Sequence, residues 1–152
     1  MRPMISNCRL VVLSGVVFFS GCTTKTATEP IFPTGYLINA TYITKSDLPA
    51  IVYGSGTPSR TDVVEFLRYA KDNDTGGKVE VIGAGTRILI QNVTIEDDPE
   101  LGYLVRIFAK VTSGPHRDAS ANLYSISIRE RRADGRSGLL KRDPTVLEEL
   151  NL

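Results

Sequence analysis

The chain has 152 residues, 18 Lys and Arg against 17 Asp and Glu, a formal net charge of +1 and 41% hydrophobic residues. Near-neutral charge with no basic excess argues against nucleic-acid binding as the main task. A single histidine and two cysteines exclude the usual zinc ligand sets.

Residues Met1 to Arg9 carry Arg2 and Arg9 and no acid, and an apolar run follows from Leu10 to Phe19. That run is too short for the ~20 apolar residues of a spanning helix, and Thr23-Thr24-Lys25 ends it. A cleaved secretory signal over 1–21 fits this pattern. Phe19-Ser20-Gly21-Cys22 resembles the lipobox of bacterial lipoproteins: an aliphatic residue, two small residues and an invariant cysteine. Phe19 stands where Leu is commonest. The resemblance implies a diacylglyceryl group on the Cys22 thiol, cleavage before Cys22, and acylation of the new amine. Each buried methylene is worth about 0.8 kcal/mol, so two or more acyl chains anchor the protein to the lipid bilayer. Thr23 rather than Asp after the cysteine implies, for a Gram-negative organism, the outer membrane and a domain facing the periplasm.

Removal of 1–21 leaves about 130 residues, the size of one domain. It takes Arg2 and Arg9 away, leaving 16 basic residues against 17 acidic ones. Cys8 leaves with the signal and Cys22 is spent on lipid, so packing has to hold the domain without disulfides.

Residues 22–34 are Thr-rich and interrupted by Pro30 and Pro33, the composition of a lipidated flexible tether. Stretched out, a dozen such residues hold a domain up to roughly 35 to 40 Å from the lipid. The globular part is expected over 35–152.

Within it the dominant period is two, as in half-buried strands. Gly35–Thr44, Ala50–Tyr53, Lys78–Ile82, Thr86–Glu96, Gly102–Thr112 and Asn122–Arg131 have strand composition. In the last of these, alternation predicts Tyr124, Ile126 and Ile128 on the core side, with Ser125, Ser127 and Arg129 opposite. Val63, Phe66, Leu67 and Ala70 recur at helical spacing after Asp62, and predict a helix over Asp62–Lys71, although Val63, Glu65, Leu67 and Tyr69 also alternate. Asp143 and Pro144 read as the start of a short terminal helix, and Asp97-Asp98-Pro99-Glu100 as a tight hairpin connection.

These elements give a mainly β fold: a small bent antiparallel sheet or an SH3-like or OB-like barrel of about six strands with one or two short helices. Gly83-Ala84-Gly85-Thr86-Arg87-Ile88-Leu89-Ile90 and Gly102-Tyr103-Leu104-Val105 resemble strand entries of bacterial SH3-like domains. Tyr103 replaces the usual Trp and the closing Gly-Trp pair is missing.

Catalytic groups are sparse. His116, in the Ser113–Asp118 loop, is the one possible base of a triad, and reads better as a solvated turn residue. Glu96, Asp97, Asp98 and Glu100 lack the ligand spacing of a calcium loop, so neither a metal nor a cofactor is expected. The C-terminal third is basic from Arg117 to Arg142. Arg129, Arg131, Arg132 and Arg136 are candidate partner-binding residues, since a planar guanidinium suits carboxylates at interfaces. The expected function is that of a non-enzymatic envelope lipoprotein that binds a protein or cell-wall partner as a scaffold, immunity or inhibitor protein. The alternative is a small envelope hydrolase using a carboxylate site.

Overall fold

The computed structural model describes residues 24–26, 34–54, 62–69 and 76–150. The expected signal peptide and Cys22 lie outside the described residues, as do most of the expected tether and the loop after Gly54.

The fold is mainly β, as the alternating sequence requires. Its strands are β1 (Thr24–Thr26), β2 (Thr41–Thr44), β3 (Leu48–Tyr53), β4 (Val63–Phe66), β5 (Lys78–Ile82), β6 (Arg87–Asp98), β7 (Gly102–Val111), β8 (Ser120–Asn122), β9 (Ile128–Arg131), β10 (Ser137–Lys141) and β11 (Leu147–Glu149). They form one strongly curled open sheet, a half-barrel, in the order β11-β2-β6-β7-β8-β4-β3-β5, with β1 beside β6 and β10 linking β7 to β9.

The hairpin β6–β7 is the spine. It pairs from Ile88↔Val111 to Asp98↔Gly102 with a shift between Ile90 and Asn92. That irregularity resolves a phase change in the sequence: Ile88 and Ile90 are buried at even positions, Val93 and Ile95 at odd ones. An extra residue in one strand keeps all four on the concave side. They join Tyr42, Val64, Phe66, Ile126, Leu140 and Leu147 in one core.

The hairpin connection is where composition placed it. Asp98 Oδ1 accepts the amides of Glu100 and Leu101, both at 2.8 Å, and Gly102 follows at φ +87°. These two amide hydrogen bonds hold the Asp98 carboxyl below its ordinary pKa.

Four expectations need correction. Asp62–Lys71 does not form the predicted helix: Val63–Phe66 is β4, with Val64 and Phe66 fully buried and Val63 partly exposed. Val64 and Phe66 sit between β3 and β8, where pairing satisfies the backbone and the β-branched and aromatic side chains pack well. The terminal helix is a single turn, closed by amides of Val146 and Leu147 on the Asp143 carbonyl, after which β11 pairs with β2. So short a helix has little stability of its own, whereas Leu147 in a strand reaches the core.

The predicted strand Asn122–Arg131 is interrupted by a 3-10 turn at Tyr124–Ile126. The turn breaks the alternation, so only Ile126 is buried, while Tyr124 and Ile128 are about half exposed. Finally, the expected tether contains β1, whose Thr24, Lys25 and Thr26 pair antiparallel with Glu96, Ile95 and Thr94. At those three positions the chain is sheet and not solvated linker.

Candidate functional site

The four arginines singled out by the sequence fall into two groups. Arg129 lies on β9 opposite Leu140 of β10, and its guanidinium carbon is 4.8 Å from the centroid of the Tyr124 ring. Stacking of this kind holds the side chain flat across an aromatic face. Arg129 Nε is buried and finds no hydrogen-bond partner among the described residues. An N–H left without an acceptor in this way costs stability.

Beside Tyr124, no strand among the described residues pairs with the edge of β7 between Gly102, where β10 pairs, and Ala109, where β8 pairs. Leu123, Tyr124 and Leu140 lie across that gap with Val105, Arg106 and Ile107, and leave a groove of about 190 Å³. Its lining is mixed polar and apolar and includes Tyr124, Asn122 and Arg106. Phe108, on the same outward side of β7 as Arg106, is also about half exposed. Tyrosine, phenylalanine and arginine together are the composition of interface centres.

Arg132 and Arg136 are engaged elsewhere. Arg132 stacks on Tyr103 at 4.9 Å and forms 3.4 Å ion pairs with Asp97 and Asp134. Arg136 grips Asp134 through Nε and Nη2 at 2.8 and 2.6 Å and donates through Nη1 to the Pro99 carbonyl. The Arg136 contacts, side chain and amide, followed by nearby Arg132, hold the Asp134 carboxyl below its ordinary pKa. Both arginines therefore clamp the β9–β10 turn against the β6–β7 turn. Arg131, on β9, is exposed.

The four carboxylates of the hairpin do not converge. Glu96 faces Arg106 at 3.8 Å, Asp97 faces Arg132, Asp98 caps its own turn, and Glu100 is exposed. Among the described residues, no three His, Cys, Asp or Glu side chains come together as a metal site.

His116 is not the solvated turn residue its neighbours suggested. Its Nε2 lies 2.8 Å from Glu80 Oε2, and its side chain is only 16% exposed. Lys78 meets the other oxygen of Glu80 at 2.7 Å; Lys78 and then His116 hold that carboxyl below its ordinary pKa. The pair lines a cavity of about 60 Å³ together with Phe66, Ile82, Val111 and Ser113. The Ser113 hydroxyl oxygen accepts the Arg87 amide at 2.8 Å. Periodicity could not have revealed this contact, because β5 and the Ser113–Asp118 loop meet only through the curl of the sheet.

No helix among the described residues is long and apolar enough to cross a membrane. No family model, curated protein or solved structure matches this chain.

Proposed function

We propose that this chain is an envelope lipoprotein, acylated on Cys22 and held on the outer membrane facing the periplasm, whose β domain acts by binding a protein or cell-wall partner and not by catalysis. A scaffold, immunity or inhibitor protein would be built this way. The lipobox Phe19-Ser20-Gly21-Cys22 supports the address.

The single observation that carries the binding role is the stack of Arg129 on Tyr124, a residue that also lines the β7 groove. An exposed aromatic ring held by a stacked guanidinium meets a partner with little loss of side-chain freedom. Arg131 extends the same edge. Arg132 and Arg136 serve the interface by fixing the turn that follows.

The test has two parts. Cys22→Ser should abolish palmitate labelling and leave the precursor uncleaved; a mutant that labels and matures normally would sink the lipoprotein reading. A photo-crosslinking residue at Tyr124, in cells, should trap one discrete product that Arg129→Ser removes. A product unchanged by Arg129→Ser, or none at all, would take the binding site away from this groove.

A further inference from the structure

The position of β1 relative to the lipid anchor decides which way the domain faces. Thr24 pairs with Glu96, near the end of β6. Cys22 is separated from Thr24 by two Cα steps, so it lies within about 8 Å of Thr24 whatever path Thr23 takes. An acyl group on Cys22 is thereby held beside the β6–β7 turn.

Two turns share that pole. The Ser137 amide donates to the Leu101 carbonyl at 3.0 Å, Arg136 reaches Pro99, and Arg132 reaches Asp97, so the β6–β7 and β9–β10 turns sit side by side. At their apex the apolar side chain of Leu101 is 58% exposed. The charges there nearly balance, since the two turns and their flanks carry Arg131, Arg132 and Arg136 together with Asp97, Asp98, Glu100 and Asp134. Such a surface is neither driven to anionic lipid nor repelled by zwitterionic lipid.

We infer that the paired β6–β7 and β9–β10 turns are the membrane-facing pole of the domain, with Leu101 seated in the phospholipid interface next to the acylated Cys22. The inference rests on the lipoprotein reading and deepens it. The occupant is the phospholipid surface that carries the anchor, reached through proximity and not through headgroup charge. The opposite end of β6 is about 35 Å away along the strand. There the Arg87 amide meets Ser113, and the His116–Glu80 cleft lies at that end. That cleft is consequently turned away from the membrane.

The chain contains no tryptophan, so one introduced residue is a unique reporter. The acylated, processed protein carrying Leu101→Trp is placed in phosphatidylcholine vesicles with or without bromine on the acyl chains. A second variant, Pro115→Trp, reports on the far end. Mass spectrometry first establishes whether Cys22 is acylated. Brominated lipid should lower Leu101→Trp emission by about two-fold or more, since interfacial residues sit about 5–10 Å into the headgroup boundary, and should leave Pro115→Trp unchanged. Changing Thr24, Lys25 and Thr26 together to Pro removes the β1 amide donors and should abolish that quenching. Acylated protein with unquenched Leu101→Trp, equal quenching at both sites, or quenching that survives the β1 prolines overturns the inference and leaves the anchor intact. A blue shift without quenching assigns Leu101 to a protein contact and overturns it as well. Unacylated Cys22 defeats the lipoprotein reading and the inference with it.

Discussion

Arg68 and Asp143 join the end of β4 to the C-terminal turn: Nη2 of Arg68 lies 2.6 Å from Oδ2 of Asp143, whose side chain is almost wholly buried. The other oxygen, Oδ1, accepts the Thr145 amide at 2.8 Å and the Thr145 hydroxyl at 2.6 Å. Burial alone would raise the Asp143 pKa, but the Thr145 bonds and then Arg68 outweigh it and hold the carboxyl below its ordinary value. Asp143→Ala is expected to cost about 2–3 kcal/mol, because Arg68 and the Thr145 amide lose their acceptor; chemical denaturation measures it.

The same carboxyl gives a pH signature. Its folded pKa is below its unfolded one, so its stabilisation is complete above about pH 4 and is lost as pH falls through the folded value. The melting temperature of the wild type should drop over that acid range more steeply than that of Asp143→Asn. Parallel curves would remove Asp143 from the acid response.

Tyr36 predicts the alkaline limb. Burial pushes its phenol up to about 12, against smaller opposing effects led by the Ser127 hydrogen bond. Ser127 spends its own proton on the Leu123 carbonyl at 2.7 Å, so the Tyr36 hydroxyl is the donor in their 2.7 Å contact. A folded pKa above the unfolded one means stabilisation that is full below pH 10 and lost as pH rises toward 12. Ultraviolet titration should show a late tyrosine component that is lost in Tyr36→Phe, a change that itself costs about 1 kcal/mol.

Gly102 holds a left-handed φ of +87°, and a Cβ there would run into the Ser137 carbonyl oxygen. Strain and overlap act together, so Gly102→Ala should destabilise the domain by about 2 kcal/mol or more in a urea melt. An effect below about 0.5 kcal/mol would mean that β10 does not lie against β7 at this point.

The strand at Val63–Phe66 separates neighbours that a helix would not. Phe66→Ala should cost about 3–5 kcal/mol and Val64→Ala somewhat less, as buried truncations do. Val63→Ala should cost under about 1 kcal/mol, because Val63 is partly exposed. A larger loss at Val63 than at Val64 would restore the helical face.

The sequence by itself determined the β class, the limits of Lys78–Ile82 and the β6–β7 hairpin, because alternation and turn chemistry are local properties written residue by residue. The irregularity within β6 emerged only from the pairing register, since Leu89 between Ile88 and Ile90 hides the phase change to Val93 and Ile95. Val63–Phe66 and Leu147–Glu149 fit either a helix or a strand locally, and only pairing with β3, β8 and β2 chose between them. The same holds for the site. Arginine at 129, 131, 132 and 136 was visible as charge, but its division into a Tyr124 stack and a turn clamp depends on where the 3-10 turn at Tyr124–Ile126 bends the chain. The contacts Arg68–Asp143 and His116–Glu80, and the pairing of Thr24 with Glu96, join residues far apart in sequence. No periodicity links such residues; the curl of the sheet brings them together.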